Sequence, residues 1–171
     1  MNETADLIAC YGCGVLVPNS DGPTHRYIGA APGCWALHGE VLARAAADRR
    51  LGDPRLFILN SYAVQHPGVP GPQAIQSVAT HLIGLYAALV LVYDDRRLIG
   101  VLRQAADRSE RFRWLAPPTA TYRVTIGNVH SAASPAAHAA AARNMAEATW
   151  DAWQPHHAQV VAWAGEVGVR P

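Results

Sequence analysis

All three cysteines of this chain lie within its first 34 residues, in a segment that cannot order itself. Cys10-x2-Cys13 opens a stretch running to residue 33 that contains Gly12, Gly14, Pro18, Asp21-Gly22-Pro23, Gly29, Pro32 and Gly33. Glycine and proline at that density exclude regular elements and leave a knuckle followed by loop. Such a segment needs an outside source of order, and Cys34-x3-His38 at its end offers one. Cys34 and His38 sit one turn apart on a predicted helix and therefore share a face. Cys10, Cys13, Cys34 and His38 make a Cys3His set for tetrahedral zinc, with sulfur at roughly 2.3 Å and nitrogen at roughly 2.0 Å. Four protein ligands leave no open position, so this zinc is expected to be structural. Asp21 or His25 could stand in for His38. The reading without metal makes Cys34 a small buried apolar residue beside Trp35, with His38 hydrogen-bonded in the core and Cys10 and Cys13 a loose dithiol. A redox Cys-x2-Cys wants its first thiol at a helix start, and the flanking Gly12 and Gly14 suit a knuckle better.

Beyond the knuckle the pattern is helical. Leu37, Val41, Leu42 and Ala45 form an apolar stripe over 34–49, ended by Gly52. Asp53-Pro54 starts a second helix that runs to about Gln65 and is stopped by His66-Pro67-Gly68. Pro72 opens a long third helix reaching about Tyr93, Asp94-Asp95 is a short break, and a more polar fourth helix covers about 97–108. Residues 111–131, with Trp114-Leu115-Ala116-Pro117-Pro118 and a mild run of β-formers from Thr121 to Val129, read as loop with at most a short strand pair. Ser134-Pro135 begins an alanine-rich helix through Trp150 and Trp153. Pro155 kinks it or starts another that carries His156, His157 and Trp163. The expected fold is all-α, a single domain over 1–171: a bundle of about five helices over 34–165 with the knuckle of 10–38 laid against it.

Charge excludes some partners. Fourteen basic residues, every one an arginine, stand against thirteen acidic ones, for a formal net charge of +1, so no general field gathers nucleic acid. The most apolar run, Ile75 to Val92, is interrupted by Gln76, Ser77, Thr80, His81 and Gly84 and reads as a core helix instead of a membrane span. No export signal is visible, and three cysteines are too few for a secreted disulfide framework, so a reducing, cytoplasmic setting is expected.

Eight histidines are many for this length, and three of them fall on apolar faces of separate predicted helices. His66 follows Tyr62 by four residues, His81 shares a stripe with Val78, Leu82, Leu85 and Leu89, and His157 follows Trp153 by four. Two solutions satisfy them. His66, His81 and His157 could hold a second metal ion of unknown identity, with His156 or His138 contributing and an open position for water or substrate. Alternatively they join Tyr62, Gln65, Gln76 and Thr80 in a buried hydrogen-bond network. In the first case Tyr62 and Glu40 are the expected catalytic neighbours, with Glu40 able to take a proton. The chain has no His-Glu-x2-His, no Gly-x-Ser-x-Gly elbow and no phosphate loop. The run from Asp21 to Tyr27 reads as a turn bridging knuckle and bundle, or as a pocket lid with Arg26 meeting an anion.

Several of these segments resemble an uncharacterised family of small bacterial proteins known only as a domain of unknown function. The resemblance rests on Gly22-Pro23-Thr24-His25-Arg26-Tyr27, Gly33-Cys34-Trp35, Tyr62-Ala63-Val64-Gln65-His66-Pro67-Gly68, Ser77-Val78-Ala79-Thr80-His81-Leu82, Trp114 to Pro118, and Trp153 with His156-His157. It implies one intact domain with the Cys-rich opening as part of it, and no activity. The leading expectation is a metal-dependent enzyme acting on a small molecule through interior histidines. The alternative is a non-catalytic, zinc-stabilised module that binds a protein partner or a small ligand. Alanine-rich helical surfaces also permit a homodimer.

Overall fold

A computed structural model describes residues 6–47 and 53–170. Two short strands, β1 (Leu7–Ala9) and β2 (Leu16–Pro18), pair antiparallel with Leu7 opposite Pro18 and Ala9 opposite Leu16. They bracket the first two cysteines. The reading of this region as knuckle and loop lacked the hairpin, because two three-residue strands are too short to show a period. An irregular segment then leads into α1 (Pro32–Ala47), which starts just before Cys34 as expected. The expected end of that helix, at Arg49, lies outside the described residues.

The second helix, α2 (Arg55–Gln65), begins after Asp53-Pro54, where the Asp53 carboxylate accepts from the Arg55 backbone N–H at 3.1 Å. Proline opens α3 (Pro72–Leu89), whose Val78, Ala79, Leu82, Ile83, Leu85 and Ala87 are buried. That helix stops short of Tyr93. Val92 takes a left-handed conformation, φ 53°, and the Tyr93 N–H closes back on the Ala87 carbonyl at 3.0 Å. What reads in sequence as a break is a cap: Asp94 accepts from Arg97 N–H at 2.8 Å and starts α4 (Asp95–Ala106).

The strand pair allowed for in residues 111–131 is replaced by one short helix, α5 (Ile126–His130). Thr125 and Asn128 form a capping box, and Ile126 and Val129 are fully buried, so capping and burial outweigh the β preference of the run. Ser134 caps α6 (Pro135–Ala152) through Ala137 N–H, and Pro155 sits in a 3-10 turn between α6 and α7 (His157–Glu166).

The result is a helical bundle with an N-terminal hairpin, seven α-helices among the described residues instead of about five. The helix α2 packs on both α3 and α6, and α3 also packs on α4 and α7. One apolar cluster gathers α3, α4 and α7 around Trp153 and Trp163. A second joins the hairpin, α1, α5 and α6 around Val17, Val41, Ile58 and Met145. The three cysteines belong to the second cluster. Among the described residues no helix is long and apolar enough to cross a membrane, and the Ile75–Val92 run packs into the core over Val78 to Ala88 while Val90 and Val92 are exposed.

Candidate metal centre

The hairpin turn is built to bring its sulfurs forward. Cys10 N–H donates to the Val15 carbonyl at 2.8 Å and Gly14 N–H to the Cys10 carbonyl at 3.0 Å, with Gly14 at φ 79°. Only glycine takes that backbone angle without strain. Cys10 and Cys13 are consequently buried, 4 % and 2 % exposed, beside Cys34 at the start of α1.

A fourth donor arrives from α2. His66 lies just past the last helical turn, and its Nε2 is 3.5 Å from Cys34 Sγ, while Cys13 Sγ is 3.9 Å from Cys34 Sγ. The ligand atoms of Cys10, Cys13, Cys34 and His66 all fall within 4.8 Å of one another, and all four residues are buried. A regular zinc tetrahedron built on the usual bond lengths has edges of about 3.8 Å between sulfurs and about 3.6 Å from sulfur to nitrogen. The Cys13–Cys34 and Cys34–His66 separations match those edges. A 3.9 Å sulfur separation is also far from a disulfide, and all three cysteines are free.

The surroundings orient these donors. His66 Nδ1–H donates to the Tyr62 carbonyl at 2.7 Å, which leaves the Nε2 lone pair facing the sulfurs, the tautomer a metal requires. Tyr62 O–H and Ala31 N–H donate to Cys34 Sγ and Cys10 Sγ, each at 3.4 Å, and thiolates are stabilised by such donors. Gly12 lets the turn lie flat on the histidine: a Cβ there would meet His66 Cδ2 and the Gln65 carbonyl at 2.6 Å. Gly29 N–H donates to the His66 carbonyl at 3.1 Å.

Without a cation the three thiols compete for one negative charge. Hydrogen bonds from Cys13 and Cys34 hold Cys10 far below an ordinary thiol, whereas contact with Cys10 drives Cys13 far up and Cys34 up to about 12. A divalent ion reverses this, since it lets all three ionise together.

The structure corrects the sequence reading of the histidines. His66, not His38, joins the thiols. His38 is buried on α1, but the Tyr62 ring intervenes, 3.9 Å from the His38 ring and 4.0 Å from the His66 ring. Burial, with His66 and His25 nearby, pushes His38 down to about 4. Asp21 is exposed, and His25 packs edge-on against Tyr27, so neither stands in. The proposed second set is dispersed. His81 Nδ1–H donates to the Asn60 side-chain oxygen at 2.8 Å, and His157 stacks on Trp150 while its Nε2–H donates to the Trp150 carbonyl at 2.9 Å. His156 donates to the Ala116 carbonyl, and His138 is buried on α6 with both ring nitrogens unpartnered. Glu40 is on the surface, 2.8 Å from His130, and Tyr62 serves the thiol cluster. Among the described residues the Cys3His set with His66 is the one group of three or more potential ligands gathered together.

The signal for His66 was present in Gln65-His66-Pro67-Gly68. A histidine followed by Pro-Gly ends a helix, and a residue there is free of the helical face that pattern reading assigns it to. Its offset of four from Tyr62 gave a true neighbour, but placing it on a helical face grouped it with His81 and His157 instead of with the thiols.

The chain belongs to a family of unknown function, DUF5946, whose model matches residues 8–154. The match takes in all four gathered donors. No curated protein and no solved structure matches the chain.

Proposed function

We propose that this family member is a zinc-stabilised, non-catalytic module, in which Cys10, Cys13, Cys34 and His66 hold one structural zinc ion and the helical bundle presents a binding site. The observation that carries the reading is the gathering of four buried donors within 4.8 Å of one another, with Nδ1 of His66 tied to a carbonyl so that Nε2 faces inward. Three thiolates and an imidazole suit zinc better than magnesium, calcium or manganese, which prefer oxygen. The ion would join three pieces of chain: the hairpin turn, the start of α1 and the end of α2. Such a closed site supports folding and offers no coordination position for substrate. Buried free thiols suit a reducing compartment, in keeping with a cytoplasmic location.

The test is metal analysis of protein purified without added metal. One equivalent of zinc is expected, lost in Cys13→Ser and His66→Ala and kept in His38→Ala. Replacement by cobalt should give the visible absorption of a tetrahedral thiolate site. Metal-free wild-type protein, or zinc that survives His66→Ala and disappears with His38→Ala, overturns the assignment.

A further inference from the structure

We propose that the cleft between α1, α2, α3 and residues 25–28 binds a compact organic cation, an alkylated ammonium group, and that the metal centre holds the two main walls of that cleft in register; this rests on the zinc reading above. The cleft encloses about 140 Å3. Its wall is a succession of rings, from Tyr27 to His25 at 4.4 Å, His25 to Trp35 at 5.3 Å, Trp35 to His38 at 5.2 Å and His38 to Tyr62 at 3.9 Å, with His81 contributed by α3. No arginine, aspartate or glutamate lines it. Aromatic rings favour a cation over an anion, because their quadrupole places negative charge on the faces.

Two wall imidazoles have hydrogen-bonding capacity that the protein does not meet. His38 is 6 % exposed and its Nε2 has no partner, and His25 Nδ1 is likewise buried and unpartnered. A neutral imidazole nitrogen accepts from an N–H, so the single N–H of a trialkylated ammonium supplies a donor for one of these two positions. The filled metal centre adds to this preference. Three thiolates around a divalent ion carry one net negative charge, and Tyr62 is the partition between that charge and the cleft: its O–H donates to Cys34 Sγ while its ring packs against His38. An anion in the cleft would be repelled by the same charge.

The metal also sets the geometry. Trp35 and His38 follow Cys34 on α1, and Tyr62 precedes His66 by one turn on α2. An ion bridging Cys34 and His66 therefore fixes the separation of the two helices that supply the rings.

The probe is trimethylammonium chloride, titrated into full-length protein of measured zinc content at constant ionic strength, and followed by tryptophan indole NMR shifts. A saturable shift of the Trp35 indole is expected, with a millimolar dissociation constant. Trp35→Leu should weaken it by about tenfold, in line with the loss of one desolvated cation–π contact. Ser77→Leu, which fills the cleft from α3 away from the metal ligands, should abolish it while one zinc per chain remains. Tert-butyl alcohol, of similar shape but neutral, should bind at least about tenfold more weakly. Zinc-loaded protein that gives no saturable shift overturns the proposal, as does binding that survives Ser77→Leu or is matched by the alcohol. Protein that carries no zinc overturns the zinc reading instead, and the metal assay on the same sample separates the two failures. If Trp35→Leu or Ser77→Leu does not fold, the comparison of trimethylammonium with tert-butyl alcohol on wild-type protein still decides.

Discussion

His66 Nε2 stands 3.5 Å from Cys34 Sγ, although the two residues are 32 positions apart, one in the first turn of α1 and the other just past the end of α2. The imidazole is held there by its own helix, through the Tyr62 carbonyl, before any metal is considered. Removing it should therefore break a preassembled site. With free zinc about a thousandfold above the dissociation constant, bound metal stabilises the fold by about 4 kcal/mol. A chelator should lower the melting temperature of wild-type protein, and His66→Ala should lower it comparably and make it indifferent to chelator. Equal chelator sensitivity in the two proteins would contradict this.

Glycine at position 12 is required by contact and not by backbone angle. Gly12→Ala places a Cβ 2.6 Å from both the Gln65 carbonyl and His66 Cδ2, which forces the knuckle off the histidine. A loss of about 2–4 kcal/mol is expected, with weakened zinc binding, since overpacking and distorted ligand geometry act together. Gly39 in α1 is the control, because a Cβ there meets nothing within 4 Å. Gly39→Ala should be neutral or stabilise by up to about 1 kcal/mol in chemical denaturation.

Acid should destabilise the protein through His81. Burial lowers its folded-state pKa from 6.5 to about 4. The unfolded chain therefore binds the proton first, and stability is lost as pH falls from about 6.5 towards 4, with no contribution above that range. Between pH 7 and pH 5 the loss from this imidazole alone is about 2 kcal/mol. In His81→Gln the pH dependence over that interval should be shallower by this amount. Metal loss in acid affects both proteins alike, so the difference between them is the measurement, and identical pH slopes would refute the claim.

Gln65 ties the metal end of α2 to the rest of the bundle. Its buried Nε2 donates to the Val124 carbonyl and to Thr149 Oγ1, each at 2.8 Å. Gln65→Met keeps the volume and strips both bonds, leaving the Val124 carbonyl unmet. A cost of about 2 kcal/mol follows from the two lost hydrogen bonds, and denaturant midpoints should show it.

Local chemistry carried the helices. Ser134, Pro72 and the Asp53-Pro54 pair mark real starts, because a cap or a preset φ acts within a few residues of where it is written. The stripe through Val78, Leu82 and Leu85 is buried for the same reason: helical periodicity is a property of the chain itself. The hairpin and α5 were not legible in this way, since three-residue strands and a five-residue helix are decided by what they pack on.

The cysteine spacing by itself determined that the N-terminal segment must be gathered around something, and named its three thiols. Which histidine closes the set was decided only in three dimensions. His38 is nearest in sequence to Cys34, one turn along the same face, yet the Tyr62 ring fills the space between it and the site. His66 reaches the sulfurs because α2 ends against the hairpin, where Gly12 and Gly29 allow backbones to touch. Spacing along one helix reports which side chains share a face; it carries no information about which other helix end is packed against that face, and a tetrahedral ion needs both.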